Sequence, residues 1–118
     1  MSVGIRNFTD HVDGDTFGLH DFNFFINDTN PGSEEDLTGA TPKVVFRRKS
    51  YTGKVVATLQ IGSGLTWIDQ SLGQLRWDAF IANWGVGEYF YDMQVTYPDG
   101  SIYTKTRGSF KIIAQSTT

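Results

Sequence analysis

Apolar residues in this chain recur at every second position over short runs, and glycines or polar turn residues separate the runs. Period two is the signature of half-buried β-strands, whose successive side chains point to opposite faces. Thr16 to Ile26 alternates through Phe17 and Leu19, slips by one near His20-Asp21, and resumes at Phe22, Phe24 and Ile26. The slip predicts a bulge or a strand that changes partners. A strand over Lys43 to Lys49 follows, then a turn at Ser50-Tyr51-Thr52-Gly53. Lys54 to Ile61 comes next, with Val55, Ala57, Leu59 and Ile61 sharing one face.

Leu65 to Asp69 and the run through Leu75 and Trp77 read as a hairpin around Ser71 to Gln74, with Trp67 and Trp77 inward. Asp78 to Trp84 is the one helix-like stretch, with Asp78 able to cap it and Gly85 and Gly87 to end it. The clearest pattern closes the chain. Tyr89, Tyr91, Met93 and Val95 alternate with polar residues, leaving Phe90 on the outer face. Tyr97-Pro98-Asp99-Gly100 then turns into a strand with Ile102, Thr104, Thr106, Phe110 and Ile112 on one side. Gly108 marks a bulge or a close approach. About seven strands at this spacing predict an all-β fold, an antiparallel β-sandwich in which each apolar face meets the opposite sheet. A small barrel is the competing closure.

Composition narrows the picture. At 118 residues, 39% hydrophobic and 19% charged, the chain fits one domain and carries too little charge for disorder. The absence of cysteine excludes disulfides and thiolate metal sites. No apolar run is long enough to span a bilayer and the N-terminus lacks the core of a secretion signal, so the reading involves no membrane and a product made in the cytoplasm. The expected division is an N-terminal arm over 1–14, a sandwich domain over 15–114 and a tail over 115–118. The net charge of -3 hides an uneven spread. Residues 1 to 36 hold eight acids against Arg6 alone, a net of -7, and the remaining nine bases and five acids net +4. Such asymmetry suits contacts between copies, or looks segregated only along the sequence. An acidic total argues against nucleic-acid partners.

Chemistry-bearing groups are sparse. His11 and His20 sit in no metal or nucleophile motif. Asp10, Asp13 and Asp15 resemble part of a calcium loop but lack its closing Glu, and read as a turn. Glu34-Glu35-Asp36 has no geometry for paired acid–base work, and the glycines form no phosphate loop. We therefore expect no enzyme, no cofactor and no metal. The candidate interface is Trp84, Phe90 and Tyr51 as outward aromatics, with Arg47, Arg48, Glu34 and Glu35 as charged partners.

Several segments together carry a resemblance. Asp36-Leu37-Thr38-Gly39-Ala40-Thr41 before the Val44-Val45-Phe46-Arg47 strand, Gly53 to Thr58, Gly87 through Gly100, and Gly108 to Ile112 resemble the N-terminal domain of baseplate upper proteins and related tail proteins of tailed bacteriophages. The resemblance spans about residues 15 to 114. It implies an immunoglobulin-like β-sandwich and a non-enzymatic structural or adaptor role in the virion, at the tail, baseplate or fibre attachment. It also implies other virion proteins as partners and a homo-oligomeric assembly. Capsid decoration or head-fibre anchoring is the nearest alternative. A carbohydrate-binding module for host-surface attachment, using Trp84, Phe90 and Tyr51, is the alternative from another class.

Overall fold

A computed structural model of the chain describes residues 4–8, 10–24 and 35–114. Among these residues eleven strands run in order: β1 (Gly4–Ile5), β2 (His11–Val12), β3 (Thr16–Phe17), β4 (His20–Asn23), β5 (Thr41–Arg48), β6 (Val55–Ile61), β7 (Gly64–Asp69), β8 (Gln74–Trp77), β9 (Phe80–Ile81), β10 (Gly87–Thr96) and β11 (Ile102–Ile113). One sheet takes the order β1-β11-β10-β5-β6-β7-β8-β4, with β2 also on β11, and β3 pairs β9 separately. The sheet turns a corner at Gly62-Ser63, where β6 and β7 touch over only two residue pairs. β7, β8 and β4 thereby fold back over β5, β10 and β11, and the two layers close on a shared core.

That core is aromatic. Trp77 is fully buried, its ring centroid 5.0 Å from Phe22 and Tyr91, 5.4 Å from Phe46 and 5.5 Å from Phe8. These rings come from both layers and from the N-terminal segment, so one side chain ties three parts of the chain together.

The long hairpin follows its pattern. Tyr89, Tyr91, Met93 and Val95 are all buried, and β10 pairs β5 without a break from Tyr89↔Arg48 to Thr96↔Thr41. The slip at His20-Asp21 is a change of partner: Thr16–Phe17 pairs β9, whereas His20–Asn23 pairs β8. The β7–β8 hairpin also forms, around a 3₁₀ turn at Gln70–Leu72. It ends at Gly73, whose φ of 65° and contacts with the Glu35 and Phe24 carbonyls leave no room for a side chain.

Four expectations are corrected. Asp78 to Trp84 is not helical: Phe80–Ile81 forms β9, because pairing with β3 stacks Phe80 on Phe17 at 5.2 Å and Trp84 at 5.8 Å. The described part of 1–14 does not hang as an arm. β1 and β2 run parallel to β11, Arg6 N and Phe8 N donate to the Arg107 and Ser109 carbonyls, and Phe8 packs on the core. On β6 only the middle is covered, with Leu59 buried while Val55 and Ile61 stay exposed at the ends. On β11 the expected single face breaks, since Met93 faces Thr106 but Gln94 faces Thr104. Lys105 is the extra residue of a bulge, which buries both Lys105 and Thr106 and turns Ile102 outward. Residues 25–34 and 115–118 lie outside the described residues.

Candidate interaction surface

The outer face of the β11-β10-β5-β6 sheet carries Phe90, with Ser109 opposite on β11 and Arg47 opposite on β5. The β5–β6 hairpin curls over this face. Arg47 Nη1 donates to the Gly53 carbonyl at 3.0 Å, and Tyr51 folds back to meet Phe90 edge-on at 4.8 Å. The Arg107 guanidinium also stacks on Tyr51, 3.8 Å from the ring centroid. Tyr51, Phe90 and Arg47 are thus brought to one region of the outer face, each half-buried. Arg107 is the member that sequence reasoning missed. Its signal was present, two residues from Ser109 on the outward parity of a predicted strand, but only the fold of the hairpin brings Tyr51 to it.

Arg48 stands apart at the end of the sheet. It donates to the Val86 carbonyl at 3.1 Å and lies 5.9 Å from the Tyr89 ring. Trp84 is not a surface contact. Its ring sits 5.1 Å from Phe46 and 5.5 Å from Tyr89, and it packs on the core with only part of its surface exposed. The physical reason is Tyr89, whose hydroxyl lies 2.9 and 2.8 Å from the Trp84 and Gly85 carbonyls, shares its one proton between them and draws that loop inward. Glu34 lies outside the described residues.

Glu35 is committed within the chain. Lys105 Nζ donates to one carboxylate oxygen at 2.8 Å and the Tyr97 hydroxyl to the other at 2.6 Å, with the Lys105 and Glu35 side chains 6% and 15% exposed. Burial, and then the bond to Glu35, push the Tyr97 hydroxyl well above its ordinary range. Asp21 makes a two-pronged contact with Arg76, at 2.8 and 3.2 Å, which holds its carboxyl below the usual range. Acids of the N-terminal third therefore meet bases of the remainder inside one molecule, and part of the segregation by sequence disappears in space.

The histidines and the acidic turn also take structural work. Asp13 Oδ1 accepts from Gly85 N at 3.2 Å, and His11 Nε2 lies 3.0 Å from the Asp15 carbonyl. His20 packs on Phe8 at 4.5 Å, and Arg6 reaches its Nδ1 at 3.4 Å. Burial first, and the Arg6 charge second, lower the His20 pKa. Phe8, Asp10, His11, Phe17, Gly18 and His20 line a small cleft of about 160 Å³. Among the described residues, no three acids or histidines converge in a way that could hold a metal ion, and no helix is long and apolar enough to cross a membrane.

The fold defines an immunoglobulin-like antiparallel β-sandwich. Among solved structures, the chain is similar to CopC from Methylosinus trichosporium OB3b, with a TM-score of 0.50, 20% identity, and coverage of 93% of this chain and 88% of that one. It also aligns with extracellular domains 3–5 of Drosophila OTK at a TM-score of 0.35 and 16% identity, over 96% of this chain and 33% of that one. At these identities the likeness to CopC speaks for the fold alone. No protein-family model matches the chain, and no curated protein matches it.

Proposed function

We propose that this chain is a non-enzymatic structural or adaptor protein of a tailed-bacteriophage virion, working at the tail, baseplate or fibre attachment through contacts between subunits. The observation that carries the reading is where the resembling segments fall. The turn at Asp36 to Ala40 leads into β5, and the others build β6, β10 and β11, so together they form one continuous stretch of sheet rather than scattered turns. The surface chemistry agrees with a building role. Described carboxylates such as Glu35, Asp21 and Asp13 hold their own chain in shape, and the outward aromatics Tyr51 and Phe90 pack on each other. The glycan-binding alternative needs at least two aromatics on one exposed surface; Trp84 packs on the core, and Tyr51 and Phe90 are half-buried against each other rather than open as a platform.

Mass spectrometry of purified particles tests the reading. The chain should be recovered in stoichiometric copies with tail or baseplate proteins, and antibody labelling under the electron microscope should mark the tail. Particles that lack it would sink the proposal, and label on the head would move it to the capsid.

A further inference from the structure

The segment over residues 82–88, a loop and the first two residues of β10, lies at one end of the sandwich and is held from two sides by segments of opposite charge. On one side is the β5–β6 hairpin, where Arg48 Nη2 donates to the Val86 carbonyl at 3.1 Å and Lys49 N to the Glu88 carbonyl at 2.9 Å. On the other is the Asp13-Gly14-Asp15 turn. Gly85 N donates to Asp13 Oδ1 at 3.2 Å, Gly14 N to the Ala82 carbonyl at 3.1 Å, and Asp13 N to the Ile113 carbonyl at 3.0 Å. The end face therefore runs from a basic hairpin, across a loop, to an acidic turn.

The basic side is hollow. Arg48, Lys49 and Lys54 line a recess of about 570 Å³ with Ser50 and Gly53, and among the described residues no acid is in its walls. The middle is apolar, with Val86 54% and Ile113 40% exposed beside each other in a second shallow recess. Glu88 and Lys111, which share that recess, are cross-strand neighbours of opposite sign and offset one another. The two side-chain ion pairs among the described residues involve neither the hairpin cations nor Asp13 and Asp15.

We propose that this end face is a twofold self-association surface, occupied by a second copy of this chain. A twofold rotation reverses the strip, so each basic hairpin meets the other copy's Asp13–Asp15 turn while Val86 and Ile113 meet across the axis. Opposite charges at both flanks fix the register, and the apolar centre leaves water. A face of one sign would repel its own copy; a face graded from one sign to the other attracts it. The inference rests on the reading that the chain works through subunit contacts, but it is measured without a virion, so the two can fail separately.

Sedimentation equilibrium of the full chain, from low micromolar to millimolar concentration, provides the test. A dimer is expected, weakening at least about tenfold as salt is raised past the range where surface charges are screened. Neither the Lys49 nor the Lys54 side chain makes a hydrogen bond among the described residues, and Asp15 bonds through its backbone. Lys49→Glu/Lys54→Glu and Asp15→Lys should therefore keep the fold, checked by circular dichroism, and each alone should be monomeric. An equal mixture of the two should pair again, because each then offers the sign the other lacks. Val86→Asp should also dissociate the dimer by charging its centre. A monomeric wild type, a closed ring of more than two copies, variants that dimerise as tightly as the wild type, or a mixture that stays apart would each overturn the proposal.

Discussion

The β5–β10–β11 sheet and the layer of short strands opposite it are stabilised in different ways. In the first, strands of eight to twelve residues lie in long register, and a period-two stripe of Tyr89, Tyr91, Met93 and Val95 supplies the buried face. In the second, β3, β4, β8 and β9 have two to four residues each, too few ladder bonds to persist alone. They are held by aromatic rings, with Phe17, Trp77 and Phe80 meeting Phe46 or Phe110 of the long sheet and Phe22 packed on Trp77. The tyrosines of the long sheet then pin irregular chain to it. Tyr89 holds the 84–85 loop, and the Tyr91 hydroxyl donates to the Arg6 carbonyl at 2.5 Å. One region is ordered by its backbone ladder, the other by what its side chains reach.

If that contrast holds, the largest loss should come from Trp77, the ring that joins the regions. Trp77→Ala should cost about 3–5 kcal/mol in urea unfolding, with a near-ultraviolet dichroism signal that falls sharply. Trp77→Phe should cost clearly less, because the buried indole nitrogen has no hydrogen-bond partner among the described residues. Equal losses for the two variants would mean the indole ring as such, rather than filled volume, holds the layers together.

Glu35→Gln comes next. It keeps an acceptor for Tyr97 but removes the charge facing Lys105, and should cost about 1.5–3 kcal/mol. The loss should be partly recovered in Glu35→Gln/Lys105→Met, where no charge is left facing a neutral partner. Gly108→Ala should cost about 1–3 kcal/mol by a different route. A Cβ there runs into the Arg6 carbonyl and the Tyr91 ring. Hydrogen exchange should then show residues 4–8 losing protection while the β10–β5 ladder keeps its own. Uniform loss across both would show that the N-terminal segment and the long sheet unfold as a unit.

The same contrast decides what could be read from the sequence. The long hairpin and the change of partner at His20-Asp21 were legible because local alternation and turn residues specify them. The strand at Phe80–Ile81 was not, because its capping Asp78 and nearby glycines mimic a short helix, and only the stacking on Phe17 and Trp84 decides the outcome. Nor could periodicity foresee the bulge at Lys105, whose side chain finds its partner in Glu35, seventy residues away in sequence. In the candidate surface, Phe90 and Arg47 were read from strand parity and Tyr51 from its place in a turn, whereas the contact between Tyr51 and Phe90 comes only from the fold. Trp84 was misplaced because a tryptophan before a glycine looks exposed until Tyr89 pulls its loop in.

The smallest effect concerns pH and belongs to the short-strand side. His20 sits among Phe8, Phe17 and Trp77 with Arg6 at its Nδ1, and Asp21 beside it pulls the other way more weakly. Its pKa in the fold therefore lies below the 6.5 of the free side chain. Between those two values the unfolded chain binds the proton more readily than the folded one, so stability rises with pH across that window. The contribution is complete above pH 6.5 and drains away as pH falls below it, until the folded form is protonated as well. Asp21, Asp36 and Asp99, whose pKa values lie below 3.8, add their own losses only at more acidic pH. Urea midpoints measured from pH 7.5 to 5 should decline for the wild type and stay nearly level for His20→Gln. A decline of the same size in the variant would place the titrating group elsewhere.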